Sequence, residues 1–434
     1  MTRTCVIVSP YFPPSTLAGV HRARHLAKHL PAAGWTPIVL CVDEAHHEER
    51  LDPGLASLVP ETVEIIKTPA ISHRLTRPFG LGELSLRGLL PLRRELFRLL
   101  ETRSVGAVLI TGSPYYPMLL AGEVKRRFGT PVVLDFQDPW ISAWGAKQPP
   151  VSKAGLSHWL ATQLEPRAVT AADFITSVSE TQNSEMAARY SGLDRRRMSA
   201  IPIGSDPEDF DALRDTPTKG GAVSLDRSCI NLSYVGNIWP GATEPLKVFL
   251  GAVARLAAAQ PELARRLRIN FVGTSNQPNE FTRFAVRPLA EAAGVGAIVK
   301  ETPQRVPYLE ALSILAASDG LVMIGSDEPH YTASKIYPNL MSGRPYLSLF
   351  HRASSAHEIL SAAGGGDSFA FSTADELASL ENPLSDGLIR LICAPESLGK
   401  ADPAVYAPYE ASSIARQYGD IFSLLDAERI APCA

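Results

Sequence analysis

Thr332, Ser334 and Lys335 bring two hydroxyls and an ammonium together within four residues. They stand directly ahead of Ile336, Tyr337, Leu340 and Met341, whose spacing is helical. Two hydroxyls, one cation and the free backbone N–H groups of a helix start make a seat for a phosphate. Lysine is scarce in this chain, ten residues against 32 arginines, so its placement here is informative. The plainer alternative is a solvated lysine at a helix start. A second chemical group lies at Asp135-Phe136-Gln137-Asp138-Pro139-Trp140. On its residues alone, Asp138 there reads as a loop or N-cap aspartate.

These residues need strands and helices to hold them. Gly320–Ile324 reads as a buried strand, Gly343 ends the helix, and Tyr346–Phe350 is the next strand, which makes a βαβ unit. Ligands in such sheets bind beyond the carboxyl ends of the strands. The same alternation runs through the whole chain. A strand at Thr4–Ser9, a Pro-rich loop to Gly19, a helix from Val20 to Ala33 and a strand at Pro37–Val42 open it. Strands follow at Val105–Thr111, Pro131–Leu134 and Ala172–Ser179, with helices at Pro117–Phe128, His158–Ala171 and Glu180–Tyr190. The Pro/Asp/Gly/Thr-rich stretch Asp206–Gly221 reads as a linker. Beyond it come Ile230–Ile238, a helix at Glu244–Ala259, and strands at Arg268–Thr274 and Ile298–Thr302. The expected fold is α/β, two doubly wound Rossmann-like domains spanning 1–205 and 206–408. An amphipathic closing helix at 409–434 is expected to pack back on the first domain.

At 434 residues the chain exceeds one ordinary core. Its 45% apolar and 20% charged residues are those of a globular protein, and a net charge of −3 gives no global drive toward nucleic acid. Five cysteines without a CxxC pair read as reduced, mostly buried residues of a cytoplasmic protein. Cys5–Val8 runs straight into a strand, so no secretory leader is expected, and no run of 18 apolar residues suggests a span. His46-His47 and His21/His25 lack a convincing carboxylate or cysteine constellation, so no metal site is expected. Residues 74–103 carry seven arginines among leucines. Such a stretch suits either an amphipathic helix covering the sheet or peripheral contact with the inner face of an anionic membrane.

Ser334-Lys335-Ile336-Tyr337-Pro338 and Leu340-Met341-Ser342-Gly343-Arg344-Pro345 resemble the donor-diphosphate motif of GT-B glycosyltransferases, especially the family-4-like retaining enzymes. The Pro-rich loop ending at Gly19, the Asp135–Trp140 segment and the Val235-Gly236-Asn237 turn resemble the same family. The resemblance covers essentially the whole chain. It implies a metal-independent, retaining hexosyltransferase that takes a sugar from a nucleoside-diphosphate donor, without a further cofactor. The acceptor is a hydroxyl on a small molecule, glycan or lipid-linked compound. On this resemblance the catalytic residues are Lys335 and Asp138. Donor contacts are implied for Gly19, Gly236, Asn237, Thr274, Arg305, Val306, Glu328, Thr332, Ser334, Lys335, Ile336 and Asn339. Acceptor contacts are implied for Tyr11, His21, Tyr115, Tyr116 and Trp140.

The chain departs from the family pattern at several points. Asn237 replaces a cationic residue, and Lys247 is the only lysine nearby. A neutral amide gives a weaker phosphate contact than a charged donor. The two glutamates of a Glu-x7-Glu signature fall at His330 and Pro338, leaving Asn339 as one way to hold the ribose. Some acetamido-sugar transferases of this type also lack the second glutamate. Ser113–Tyr116 stands where many relatives place a histidine. Two other readings stay open. One is a nucleotide-sugar epimerase or hydrolase using Asp138, Glu328 and His330; the other is a non-catalytic nucleotide-sugar-binding protein.

Overall fold

The computed structural model describes residues 3–77, 80–215, 221–275, 280–328 and 334–430. The chain forms two compact units, one of residues 1–203 with 411–434 and one of residues 204–410.

Unit 1 holds a seven-stranded sheet. Its strands are β1 (Arg3–Val8), β2 (Trp35–Val42), β3 (Glu64–Thr68), β4 (Val105–Gly112), β5 (Val132–Phe136), β6 (Phe174–Ser177) and β7 (Met198–Ala200). Their order is β3-β2-β1-β4-β5-β6-β7 and every pairing is parallel. Both faces are covered, which is why the central strands read as unbroken apolar runs. Along β1, Val6 and Val8 enter one core while Cys5 and Ile7 enter the other, the two-residue period of a strand.

The first core is covered by the helices Leu84–Arg87 and Leu89–Thr102. Leu84, Leu92, Leu96, Phe97 and Leu99 are buried there. The arginine-rich stretch is therefore mainly a sheet-covering element, broken into helices at His73–Thr76, Leu84–Arg87 and Leu89–Thr102. Five of its seven arginines are ion-paired: Arg77 and Arg87 with Glu48, Arg93 with Glu123, Arg98 with Glu95, and Arg103 with Glu64. Most of its positive charge is thus neutralised within the protein. Phe79 of this stretch lies outside the described residues.

The second core is closed by the helix Ala411–Ile430 through Ile414, Ala415, Tyr418, Phe422 and Leu425. Trp35 docks this helix: its indole N–H donates to Gly419 O at 3.1 Å and its ring meets Phe422 edge-on at 5.4 Å.

Unit 2 holds β8 (Ile230–Val235), β9 (Leu267–Val272), β10 (Val299–Thr302), β11 (Gly320–Ile324), β12 (Tyr346–His351) and β13 (Gly366–Phe371). The order is β10-β9-β8-β11-β12-β13, again all parallel. The long helices Thr243–Ala259 and Glu381–Cys393 cover one face through Leu246, Phe249, Leu250, Val253, Leu384 and Leu388. In both sheets the chain starts centrally, winds one way, then returns to wind the other. The switch points fall between β1 and β4 and between β8 and β11, where doubly wound sheets hold ligands.

The sequence reading missed three strands: β3, β7 and β13. Each is the last strand at an edge of its sheet, short or rich in polar residues. The helix expected at His158–Ala171 runs instead from Lys153 to Val169, because Ser152 caps it by accepting from Gly155 N. Cys5 and Cys41 are buried, and burial pushes both thiols up, Cys41 to about 12. Neither is a nucleophile. Cys229 is half-buried and Cys393 exposed, so burial is not general; Cys433 lies outside the described residues. No helix among the described residues is long and apolar enough to cross a membrane.

Candidate active site

The loops beyond the carboxyl ends of unit 2's strands are stitched to one another. Gly236 N donates to Val272 O at 2.8 Å, and Ile238 N to Thr274 O at 3.0 Å. Gly273 N donates to Thr302 O at 2.8 Å, Ser275 N to Pro303 O at 2.9 Å, and Asp327 N to Gly241 O at 3.0 Å. Gly236, Asn237, Thr274 and Glu328 lie in these loops, Arg305 and Val306 follow β10, Ser334 and Lys335 precede the helix after β11, and Ile336 and Asn339 lie in that helix. Thr332 and His330 lie outside the described residues.

Lys335 reaches the switch point of this edge. Its ammonium bonds the Tyr234 hydroxyl, lies 3.4 Å from Asn237 O, and sits 4.1 Å from the centre of the Tyr234 ring. No carboxylate pairs with it among the described residues. Lys335 is half-buried, and desolvation pulls its pKa down to about 7. A cation kept out of water without an acid partner is costly, and an incoming anion would relieve that cost. Gly236 leaves room for it. Its φ is +137°, and a Cβ there would come 3.2 Å from Lys335 Cδ.

The helix after Lys335 is only Ile336–Met341, six residues without a side-chain cap. The positive charge at this point is therefore that of the ammonium more than of a helix end. Ile336 is buried and Ser334 exposed. Asn339 is buried, and its amide donates to Lys335 O at 2.6 Å. That bond fixes the lysine's backbone. Thr274 is also buried, and its hydroxyl donates to Glu301 at 2.5 Å. Glu301 in turn accepts from the backbone of Ala285, Val286 and Arg287. Thr274 thus braces the edge from below. Val306 is buried, Arg305 half-buried and Glu328 exposed.

In unit 1 the loops after β1, β4 and β5 meet at the other switch point. Gly19 stands in the first of these loops, as its place before the helix at Val20 implied. A Cβ on it would stand 3.1 Å from Ser113 O and 3.4 Å from Gln137 Oε1. Gln137 Nε2 donates to Gly19 O at 3.4 Å, and Gln137 N to Gly112 O at 2.7 Å. Tyr115 stacks on Trp140 with ring centres 5.1 Å apart, and its hydroxyl donates to Asp138 O at 2.9 Å. Tyr116 meets Trp140 edge-on. Asp138 keeps an exposed surface, yet desolvation of its carboxyl raises its pKa. Tyr115, Tyr116, Asp138 and Trp140 form one cluster. Tyr11 instead packs against His47 at 5.2 Å, and His21 lies beside Arg24 and His25.

Beneath this cluster is a network that sequence reasoning passed over. Arg22 and Asp135 are both buried and ion-paired at 3.1 Å. Asp135 also accepts from Thr176 at 2.9 Å, from Tyr418 at 2.8 Å and from Gln137 at 3.3 Å. Arg22 donates on to the carbonyls of Ile201 and Pro202. The first aspartate of the Asp-x-Gln-Asp-x-Trp run thus anchors the loop that presents the second. An acid ending an apolar strand was the available signal.

Residues 18–204 match the family model described as a glycosyl transferase 4-like domain. No curated protein sequence matches the chain. Among solved structures it is similar to Anabaena HepE in complex with UDP-glucose, at 14% identity and a TM-score of 0.57, covering 97% of this chain and 99% of that one. It is also similar to a glycosyltransferase of Rickettsia africae, at 16% identity and a TM-score of 0.56, with 98% of each chain covered. WaaG, a glycosyltransferase involved in lipopolysaccharide biosynthesis, matches at 13% identity and a TM-score of 0.54, with 98% of each chain covered. These likenesses extend over both units and carry the fold. The chain thus has the GT-B fold of these structures, and its residues 18–204 match the glycosyl transferase 4-like domain model.

Proposed function

We propose that the protein transfers a sugar from a nucleoside-diphosphate donor, held by unit 2, to a hydroxyl acceptor held by unit 1. In this reading transfer retains the anomeric configuration and needs no metal. The observation that carries it is the uncompensated Lys335 ammonium at unit 2's switch point. The UDP-glucose bound to HepE supports the donor class. Lys335 and Ser334 neutralise the diphosphate and the charge that develops on it as the glycosidic bond breaks. Gly236 and Asn237 provide close backbone approach. The oxocarbenium-like sugar is then captured by the acceptor hydroxyl on the face the diphosphate leaves. Asp138, with its raised pKa, orients that hydroxyl and receives its proton. Tyr115, Tyr116 and Trp140 offer aromatic faces to the acceptor.

The test combines binding and turnover. UDP, GDP, dTDP and ADP, each with matching nucleotide sugars, are screened for thermal stabilisation. A ligand at a hundred times its Kd adds roughly 2.7 kcal/mol of stability. The donor that shifts is then incubated with candidate acceptors in EDTA, and the product's anomeric configuration is read by NMR. Inversion overturns retention, and loss of activity in EDTA overturns metal independence. Turnover without an acceptor favours the epimerase or hydrolase class.

One observation favours a second reading, a non-catalytic nucleotide-sugar-binding protein. Pro338 stands where relatives hold ribose, and the Asn339 amide is committed to Lys335 O. That reading predicts a nucleotide shift with no turnover.

A further inference from the structure

Between Asp138 and Glu165 the chain has no acidic residue, and its charged residues there are Lys147 and Lys153. This segment follows directly on the Tyr115–Trp140 stack. It folds as a helical hairpin: a short helix at Ala143–Ala146, a turn through Pro149 and Pro150, and the helix Lys153–Val169. The two arms are in close contact. A Cβ on Gly145 would come 2.8 Å from His158 Nδ1, and one on Gly155 would collide with Pro149 O.

The hairpin leaves large apolar side chains in solvent. Val151, at the tip, is 98% exposed; Trp144 is 67%, Trp159 57% and Leu156 53% exposed. Trp144 and Trp159 are the sequence neighbours of the contacting pair Gly145 and His158. Lys153, Leu156 and Trp159 follow one another at three-residue steps, one face of the helix. Lys147 and Lys153 are exposed and ion-paired with nothing among the described residues. The arginine-rich stretch 74–103 differs in charge: it also exposes Leu75 and Leu90, but five of its seven arginines are ion-paired.

We infer that the hairpin of residues 141–160 docks on an anionic lipid surface, inserting Val151, Leu156, Trp144 and Trp159 while Lys147 and Lys153 meet the headgroups. Indole rings favour the boundary between headgroup and acyl chain, and unpaired lysines add attraction to anionic lipid. Two lysines with no acid between them, set among exposed aliphatic and aromatic residues, complement an anionic membrane better than a protein surface of mixed charge. The inference stands on the surface chemistry and does not need the transferase reading. Taken with that reading, it places the acceptor loop at the membrane and makes the acceptor a membrane-borne hydroxyl compound.

The experiment is co-sedimentation of the full chain with phosphatidylcholine vesicles, with and without phosphatidylglycerol. Binding is expected to the anionic vesicles alone, to weaken with salt, and to fall about fivefold for each of K147Q and K153Q. W144S/W159S and V151D are expected to abolish it, with melting temperatures and nucleotide-induced shifts unchanged. Fluorescence quenching by brominated lipid is expected in the wild type and to be lost in W144S/W159S. Absence of anionic-vesicle binding overturns the inference. So does equal binding to neutral vesicles, or binding that survives all of these variants. A dimer in light scattering that V151D dissolves would assign the hairpin to a second copy of the chain, and overturns it too. Nucleotide shifts report on the transferase reading separately.

Discussion

Replacing Lys335 by methionine removes the ammonium while keeping most of the stem's volume. The folded pKa of about 7 lies below the ordinary 10.5 because the group is desolvated, and no acid pairs with it among the described residues. Between these values the unfolded chain holds a proton that the folded chain has lost. Stability of the ligand-free protein therefore rises with pH from about 7 to 10.5 and is lowest below 7. The gap of 3.5 in pKa corresponds to about 5 kcal/mol as an upper bound at acid pH, falling to about 2 kcal/mol at pH 9. Lys335→Met should stabilise the free protein at pH 6 by up to that amount, and the advantage should vanish toward pH 10.5.

Ligand binding should move the opposite way. Losing a hydrogen bond to a charged diphosphate costs roughly 1.5–3 kcal/mol, about 10- to 150-fold in Kd. In the wild type an arriving diphosphate restores the proton, so affinity should fall as pH rises above 7, with proton uptake on binding. Differential scanning fluorimetry across pH, with and without nucleotide, reads stability and binding together. Calorimetry in buffers of different ionisation enthalpy reads the proton. A mutant that is less stable than wild type at pH 6, or that keeps its nucleotide shift, refutes the reasoning. Greater stability with lost binding is the mark of a residue kept at a cost for function.

Asn237→Arg should tighten nucleoside-diphosphate binding about tenfold by adding a second cation, and an unchanged Kd in calorimetry would place residue 237 away from the phosphates. Gly236→Ala forces a side chain onto φ +137° and against Lys335. It should weaken the nucleotide shift, and full retention would count against close backbone approach. Asp138→Asn should leave nucleotide binding intact while lowering transfer by about a hundredfold or more, read in a coupled donor-consumption assay. An equal rate removes Asp138 from the chemistry. Asp135→Asn breaks a buried ion pair and should cost about 3–5 kcal/mol in urea denaturation; a loss below 1 kcal/mol would mean the network carries no weight.

The alternation of apolar runs with helical spacings was sufficient to read two doubly wound sheets. The central strands β1, β4, β8 and β11 are buried on both faces, and that burial writes itself into composition. Edge strands such as Glu64–Thr68 and Gly366–Phe371 are half-solvated and leave no such record. Lys335, Asp138 and the residues around them were legible because each follows a strand or opens a helix. Local sequence alone thus determined which side chains lie at the carboxyl edge.

Tertiary structure decided what those side chains have as neighbours. Only the fold sets Lys335 against Tyr234 and Asn237, about a hundred residues away, and leaves it without an acid among the described residues. Only the fold commits Asn339 to the Lys335 carbonyl and Thr274 to Glu301. It also turns Asp135 inward onto Arg22 and Tyr418, from opposite ends of the chain. It pairs five of the seven arginines of 74–103 while leaving Lys147 and Lys153 in solvent. Periodicity reports burial, a property of one segment. Charge compensation belongs to pairs that meet only when the sheet closes, so no single stretch of sequence records it.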